Sequence, residues 1–340
     1  MRRCMILMIH VMDVALCRPE RPVHVFYHVF KSQHDSAVAS RIVNEQLMWL
    51  QQTPLWKAVD ALHFATIGDA SIKLNVSSTC DALHDQGRRQ RAACIHLGHN
   101  ETGMEEITLG YLHRFCLAHP EQLVAYVHTK GSYHNHAKNV QMRQFLLHSL
   151  ASEECLDGVS NGTCSVCSAR FAAAPQPHVP GNMWLARCDY VSRLVQPRSF
   201  GKLLAKSSNV VNSISLCRER GSPLRPHRVG TGRFASEHWI NSHPTVSPCD
   251  TSARVDYQRG YGNIPPLTDP ISLALAPRWP LRTIDGHRGS CNNPCKGVTV
   301  NMCSKQWQVA KWKDLYPDAV SSAQIELWKQ GRLFADALGR

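Results

Sequence analysis

The sequence lacks the motifs of several large functional classes. It contains no GxxxxGK[ST] phosphate-binding loop and no GxSxG nucleophile turn, which excludes P-loop nucleotide hydrolysis and α/β-hydrolase chemistry in their usual forms. It also has no long Lys/Arg run, no C2H2 spacing and no aromatic RNP-like strand, so it predicts no nucleic-acid partner. No apolar run is long enough to cross a bilayer, and no internal repeat occurs.

The composition is that of a folded domain. Of the 340 residues, 43% are hydrophobic and 19% are charged, which is enough apolar surface for a core and argues against disorder. The formal net charge is +12. An excess of this size favours anionic partners, such as acidic glycans, acidic lipids, nucleic acids or phosphorylated small molecules, without choosing among them. An ordinary basic surface is the alternative.

Cysteine and N-glycosylation sequons are both abundant. The chain has 14 Cys, a high number for a protein of a reducing compartment. Asn-x-Ser/Thr sequons begin at Asn75, Asn100 and Asn161, and each is a glycan acceptor only in a chain that enters the secretory pathway. Together these features favour the lumen of that pathway. The Golgi is the more specific expectation and the cytoplasm the alternative.

Two groups of cysteines are closely spaced along the chain. Their members are Cys155, Cys164 and Cys167 in the first group, and Cys291, Cys295 and Cys303 in the second. Neither group alone supplies the four ligands of a compact zinc site. We therefore expect disulfides, and a zinc-containing nucleic-acid binder is the alternative.

The first 21 residues differ in character from the rest. Basic residues follow Met1, and residues 4–17 form an apolar stretch interrupted by His10 and Asp13. Such a stretch is too short to span a bilayer and suits a signal or anchor segment, the first strand or helix of the fold being the alternative. We expect membrane association only through this segment.

Strand and helix patterns alternate through the first half of the chain. Apolar, β-branched runs predict strands at 23–30, 62–67, 93–97 and 123–127, and amphipathic spacing predicts helices at 35–50, 101–118 and 140–150. This order is typical of an α/β fold with a mostly parallel sheet flanked by helices. We expect one domain over 22–262 and a Cys-containing C-terminal extension with helices over 263–340. Ligands bind at the carboxyl ends of strands in such sheets, which directs attention to Asp69 and to residues 128–130.

Three segments together resemble a known group of proteins. They read YVHTKG at 126–131, GNMWLA at 181–186 and EHWI at 237–240. In this order they look like a poorly characterised glycosyltransferase-like family with the pattern YxHTKG … GNFWWA … ExWI, which is placed with the GT-A nucleotide-diphospho-sugar transferases. The resemblance covers about residues 22–245. Met183 and Leu185 stand where the pattern more often has aromatic residues.

The resemblance implies a donor site for a nucleotide sugar. Most GT-A enzymes hold a divalent metal with Asp-x-Asp at a strand end, and this chain has no Asp-x-Asp. The matching strand end carries the segment from His128 to Gly131, so we expect Lys130 and the protonatable His128 to neutralise the donor diphosphate without a metal, assisted by Thr129 and by the backbone around Gly131. A bound divalent metal is the alternative, and no cofactor is predicted.

We also expect Arg233 to contact the donor, because a guanidinium binds phosphate or carboxylate groups. Asp69 is a further expected donor contact, only because it lies at the end of the second predicted strand.

The other two segments imply sugar-binding and catalytic residues. Gly181 lets backbone approach the ligand, Asn182 offers an amide to sugar hydroxyls, and Trp184 offers a ring face. Glu237 is the expected base that removes the proton of the acceptor hydroxyl. The alternatives are that Lys130 is a solvated loop residue, that Trp184 packs in the core, and that Glu237 is only a carboxylate near a helix N-terminus, where the helix dipole favours a negative charge.

The sequence therefore predicts a glycosyltransferase that moves a sugar from a nucleotide-sugar donor to a glycan or protein acceptor. A non-catalytic protein that keeps the fold and binds glycans or anions is the alternative.

Overall fold

The structure is a computed structural model, and it describes residues 4–5, 16–17, 21–32, 36–84, 92–133, 136–171, 178–206, 215, 218–219, 221, 230–243, 245–251 and 282–283. The expected signal or anchor segment and the expected C-terminal extension lie almost wholly outside these residues, as do Cys291, Cys295 and Cys303.

An eight-stranded mixed sheet forms the centre of the molecule. In chain order the described strands are β1 Cys4–Met5, β2 Leu16–Cys17, β3 Val23–Lys31, β4 Val59–Gly68, β5 Ala93–Asn100, β6 Leu123–His128, β7 Val166–Ser168, β8 Trp184–Arg187, β9 Pro248–Asp250 and β10 Arg282–Thr283. The first two pair with each other, and the other eight are ordered β10-β9-β7-β8-β6-β3-β4-β5. Within that sheet all strands run in one direction except β8 and β10.

Helices cover both faces of this sheet. The described helices are α1 Ser36–Gln51, α2 Pro54–Lys57, α3 Ile72–His84, α4 Glu106–Ala118, α5 Ala137–Leu150, α6 Glu153–Ser160, α7 Cys188–Val191, α8 Pro197–Lys206 and α9 Ala235–Trp239. A 3-10 turn, Gly232–Phe234, leads into α9. The predicted α/β class with a mostly parallel sheet is confirmed.

The central strands are buried because helices pack on both of their faces. Strand β3 is almost wholly buried along its length and pairs in parallel with β4 on one side and β6 on the other. Its alternate residues Val23, Val25, Tyr27 and Val29 join the core under α1, α3, α5 and α6, whereas Phe26 faces the core under α4, α7, α8 and α9. Each such side chain contributes about 1.5–3 kcal/mol when fully buried.

Four disulfides lie in the described part of the chain. They join Cys80 to Cys94, Cys116 to Cys188, Cys155 to Cys167 and Cys164 to Cys249. The expectation of disulfides rather than zinc is therefore confirmed for the first cysteine group. Four such bonds indicate an oxidising environment, extracellular or secretory. None of the helices that the structure describes is long and apolar enough to cross a membrane.

Two predicted helices differ from the structure. The helix predicted at 101–118 begins at Glu106, since Gly103 has a φ of 143°, outside the right-handed helical region. The sequence also allows a helical region at 190–204, and in the structure α7 ends at Val191 and α8 begins at Pro197. Pro197 opens the second of these, where its fixed φ and missing N–H are tolerated.

Candidate functional site

The three motif segments meet at the carboxyl edge of the sheet. The first segment ends strand β6 at His128 and continues as a tight turn in which the Ser132 N–H donates to the Thr129 carbonyl over 3.1 Å. Gly131 has a φ of 91° in this turn, a conformation that glycine adopts without steric cost. The turn places Lys130, half-buried, at the strand end.

Neighbouring strand β3 anchors the start of the turn. The Thr129 N–H donates to the carbonyl of His28 over 3.1 Å, and the Phe30 N–H donates to the hydroxyl oxygen of Thr129 over 2.9 Å. Thr129 is itself 3% exposed. Its hydroxyl is thus engaged with the backbone of β3, and its main role is to hold the turn against the sheet.

Arg143 of α5 anchors the other side of the same turn. Its Nη1 donates to the Lys130 carbonyl over 2.7 Å, while its Nη2 and Nε donate to the Glu45 carboxylate over 2.8 and 3.3 Å. The guanidinium is almost fully buried, and its carboxylate partner on α1 is partly exposed. This forked pairing fixes the main chain of Lys130 and leaves its side chain to the site.

His128 connects the first segment to the second. Its Nε2 donates to the Gly181 carbonyl over 2.7 Å, and its own carbonyl accepts from the Gln46 amide over 3.1 Å. Burial lowers the pKa of the His128 imidazole, although the nearby Glu105 carboxylate opposes this change. Burial therefore opposes the positive charge that His128 was expected to supply to the donor, and the role of His128 in donor binding stays a prediction.

The second segment turns sharply at Gly181 and Asn182. Gly181 has a φ of 84°, and a Cβ there would lie 2.5 Å from Leu146 Cδ1. Asn182 has a φ of 49°, in the left-handed region that few residues other than glycine adopt. Its Oδ1 accepts from the Trp184 indole N–H over 2.9 Å, and its Nδ2 donates to Glu105 over 2.5 Å.

Trp184 does not present a ring face to a ligand. It is fully buried, and its ring packs against Tyr126 and Trp239 at centroid distances of 5.5 and 6.2 Å. The expected sugar platform is therefore absent at this position, and the indole orients Asn182 instead. Asn182 is 1% exposed, so its amide binds the protein's own groups and not a sugar in this conformation.

Glu105 is a site residue that sequence reasoning missed. It directly precedes α4, is half-buried, and accepts from the Tyr126 hydroxyl over 3.2 Å as well as from Asn182. Burial acts to raise the pKa of Glu105, but His128, His28 and the Asn182 hydrogen bond hold it below its usual value. A carboxylate directly before a helix, where the dipole favours a negative charge, was the signal available in the sequence.

Glu237 of α9 lies against the same turn. Its carbonyl accepts from the Val179 N–H over 2.9 Å, and its carboxylate accepts a hydrogen bond from the Gly181 N–H. Burial raises the pKa of Glu237; Lys130 and Arg233 act to lower it and Glu105 acts to raise it. Two cations and a second carboxylate therefore lie close enough to Glu237 to influence its charge.

Asp69 stands apart from this group. It follows β4, where its carboxylate lies 3.4 Å from the Lys31 ammonium and accepts from the Ser71 N–H over 2.9 Å. Lys31, at the end of β3, is 6% exposed and also donates to the Ser71 hydroxyl. Asp69 thus shares the carboxyl edge with Lys130 and Glu237, but its described contacts are with Lys31 and Ser71.

The site residues can act on a proton and on a negative charge. Glu237, with its raised pKa, can accept a proton, while Lys130 and the exposed Arg233 offer positive charge beside it. Among the residues that the structure describes, no group of three or more His, Cys, Asp or Glu side chains is arranged to hold a metal ion.

Comparison with known proteins gives a family but no activity. No curated protein matches this chain. A family model described as "Domain of unknown function (DUF8361)" matches residues 26–329. That range contains all three motif segments and most of the sequence, and the chain therefore belongs to the DUF8361 family.

Proposed function

We propose that this chain is a glycosyltransferase of the GT-A type, which transfers a sugar from a nucleotide-sugar donor to a hydroxyl of a glycan or protein. The observation that carries the proposal is that Lys130 and Arg233 lie close enough to Glu237 to lower its pKa, beside the carboxyl edge of a mostly parallel sheet. Ligands of open α/β sheets bind at this edge. The proposed compartment is the secretory lumen, with the Golgi as the specific location.

In the proposed reaction Glu237 is the general base. Its carboxylate takes the proton of the acceptor hydroxyl while the oxygen bonds to the anomeric carbon of the donor. The bond from that carbon to the phosphate oxygen breaks, and the nucleoside diphosphate leaves with the bonding electrons. A base of this kind serves a reaction that inverts the anomeric carbon.

Lys130 and Arg233 would neutralise the charge that develops on the leaving diphosphate. The Lys130 main chain is fixed by Arg143, so the ammonium is presented from a rigid turn, whereas Arg233 is exposed and stacks on the Phe234 ring at 4.7 Å. Preorganised charge of this kind stabilises a transition state more than the same charge in water. No step of the proposed mechanism requires an Asp-x-Asp metal site.

Replacing the base is the most direct test. We expect Glu237→Gln to lower kcat by about 10²–10⁴-fold, the usual contribution of a general base. Donor affinity should stay the same because glutamine can still accept from Gly181. Turnover of a panel of nucleotide sugars and calorimetric binding of the donor measure the two quantities. The exposed Glu121→Gln is the matched control, and unchanged turnover in Glu237→Gln would remove it as the base.

The metal-free part of the proposal has its own test. Donor hydrolysis and transfer are measured after extensive dialysis against EDTA, then with manganese or magnesium added back. We expect equal rates in all samples. A rate that depends on manganese would overturn the role given to Lys130, although it would leave the fold and the base unaffected.

A non-catalytic protein that binds glycans or anions is the second candidate. It is favoured by the burial of Asn182 and Trp184, which removes two of the expected sugar contacts. Thermal shifts separate the two functions, because a ligand that binds only the folded state raises Tm. Stabilisation by a nucleoside diphosphate supports the transferase, and stabilisation by an acidic glycan alone supports the binder.

A further inference from the structure

The turn after α6 carries the sequon Asn161-Gly162-Thr163, and all three residues are exposed. Asn161 caps the helix, with its N–H donating to the Asp157 carbonyl over 2.9 Å. Gly162 follows with a φ of 85°, the left-handed conformation that commonly ends a helix. The sequon is thus part of an ordered helix end, held at a fixed position on the surface.

The side chains of this sequon bond to each other. Both the N–H and the hydroxyl of Thr163 donate to Asn161 Oδ1, over 2.8 and 2.6 Å. A side-chain oxygen that accepts from the N–H two residues later makes an Asx turn. Because the carboxamide is planar, engaging its oxygen with the turn directs Nδ2, the atom to which a glycan is attached, away from the chain.

Two disulfides hold this turn. Cys164 follows the sequon directly and is bonded to Cys249 on β9, while Cys155 on α6 is bonded to Cys167 on β7. The same bonds indicate an oxidising compartment, where the enzymes that attach N-linked glycans are also found.

We propose that Asn161 is an N-glycosylation site of this chain. In the modification, Asn161 Nδ2 bonds to the anomeric carbon of a lipid-linked oligosaccharide that the host cell supplies. The bond from that carbon to the lipid diphosphate breaks, the lipid diphosphate leaves, and an amide proton is lost to the transferring enzyme. The modification requires neither an oxidant nor a reductant.

The sequon at Asn75 has the opposite surroundings. Asn75 lies within α3, and its Oδ1 is buried without a hydrogen-bond partner in the described chain. On the same helix, the Thr79 hydroxyl donates to Asn44 Oδ1 of α1 over 2.7 Å. A glycan at Asn75 would meet this packing of two helices, so this sequon is expected to stay unmodified.

The sequon at Asn100 is intermediate. Asn100 ends the edge strand β5, is half-buried and pairs with Ile67 of β4. In the described chain no hydrogen bond joins its side chain to Thr102. Asn100 is thus held in the sheet edge and lacks the Asx turn of Asn161, and we expect this asparagine to be unmodified.

A glycan on Asn161 is compatible with an open site. The sequon precedes β7, which runs parallel to β9 and antiparallel to β8, and therefore runs in the same direction as β6. It lies at the amino edge of the sheet, opposite the carboxyl edge that carries Lys130. The proposal does not depend on the function proposed for that edge.

Secretion of the full chain tests the proposal. The 340 residues, preceded by a cleavable secretory leader, are expressed in insect or mammalian cells, and the secreted protein is treated with peptide-N-glycosidase in heavy-oxygen water. Mass spectrometry of the peptides then shows which asparagines became labelled aspartate. We expect Asn161 to be labelled in most copies, and Asn75 and Asn100 to be unlabelled.

Variants test whether the glycan depends on the sequon at Asn161. Asn161→Gln and Thr163→Ala should each remove one glycan mass from the secreted protein, whereas Thr163→Ser should retain it and Asn75→Gln should change nothing. The unaltered chain gives the decisive result even where a variant does not fold. A secreted, disulfide-bonded chain that is unmodified at Asn161, or that carries its glycan at Asn75 or Asn100 instead, would overturn the proposal.

Discussion

Glu105 and Glu237 are two carboxylates of one site whose pKa values move in opposite directions. Burial raises the pKa of Glu237, whereas two imidazoles and an amide donor overcome the effect of burial at Glu105. Paired groups that differ in this way commonly divide proton acceptance and charge stabilisation between them. In the proposed reaction Glu237, whose pKa is raised, is therefore the group that takes up the proton, and Glu105, whose pKa is lowered, is the negative charge that positions Asn182.

The charges around Glu237 should control the pH dependence of the reaction. A base acts when ionised, so kcat/KM should fall as the pH drops through the raised pKa of Glu237. Lys130 lowers that pKa and Glu105 raises it. We expect Lys130→Met to move the acid limb of the profile to higher pH and to lower kcat by roughly 10²-fold. Glu105→Gln should move the limb to lower pH.

Steady-state profiles between about pH 4 and 8 measure both shifts. Lys138→Met, a change at an exposed residue of α5, serves as the control with an unmoved limb. Shifts of the same sign in the Lys130 and Glu105 variants would contradict the electrostatic explanation, since their charges are opposite.

Only part of the site could be read from the sequence. The segments around Lys130, Gly181 and Glu237 were found as motifs, and the structure brings them together. Glu105 belongs to none of them, because it reaches the site through the start of α4, and its partners come from β6 and from the turn before β8. The sequence also predicts that Trp184 offers its ring to a sugar, since a sequence does not show that Tyr126 and Trp239 already pack against that ring.

At the scale of elements, the turn after β6 is held between the sheet and α5. Thr129 binds β3, and Arg143 binds the Lys130 carbonyl together with Glu45 on α1. Because Arg143 is 2% exposed, its charge depends on Glu45 for compensation. Breaking a buried pair by removing one partner is strongly destabilising.

Arg143→Met should therefore weaken both stability and donor binding. We expect a loss of about 3 kcal/mol in the free energy of unfolding, because the Glu45 carboxylate is left unpaired and the Lys130 carbonyl loses its donor. Urea unfolding followed by circular dichroism measures the first effect, and donor titration the second.

Adding Glu45→Gln to Arg143→Met should restore part of the stability but not the donor affinity, since the anchor of Lys130 stays absent. Arg41→Met, at an exposed position of α1, should change stability by less than about 0.5 kcal/mol. An Arg143→Met protein with normal stability would show that the pair contributes little.

The sequence predicted the long central strands better than the short strands. Strands β3 and β6 are buried on both faces, and they read as continuous apolar runs at 23–30 and 123–127, within one residue of their observed ends. Strand β8 has four residues, too few for a periodic signal. Its place between β6 and β7 depends on pairing between distant residues, which local patterns do not encode.

At the scale of the whole molecule, buried histidines are distributed across the fold. Burial lowers the pKa of His28 in β3, His63 in β4 and His243 after α9 to about 4 in each case. Each ring is at most 8% exposed. In the unfolded chain the same groups titrate near the ordinary value of about 6.5. Lowering the pH therefore changes the free energy of unfolding through several histidines that lie in different parts of the fold.

The sign of this effect follows from the protons that each state binds. Between about pH 6.5 and pH 4 the unfolded chain binds protons at these histidines and the folded chain does not, so stability falls as the pH falls. Each histidine contributes up to about 1 kcal/mol per pH unit inside that window. Glu237, whose folded pKa is raised, acts in the opposite direction, but one carboxylate opposes these three imidazoles together with His128 and Glu105, whose pKa values are also lowered.

We therefore expect the free energy of unfolding to decrease steadily from pH 7 to pH 4.5, with the disulfides intact. Urea titrations at half-unit pH steps measure it. His63→Gln should reduce the slope, because it removes one of the buried imidazoles while an amide can still face His24. A free energy that is constant or rises over this range would show that these imidazoles are protonated in the folded protein, and that burial does not control their charge.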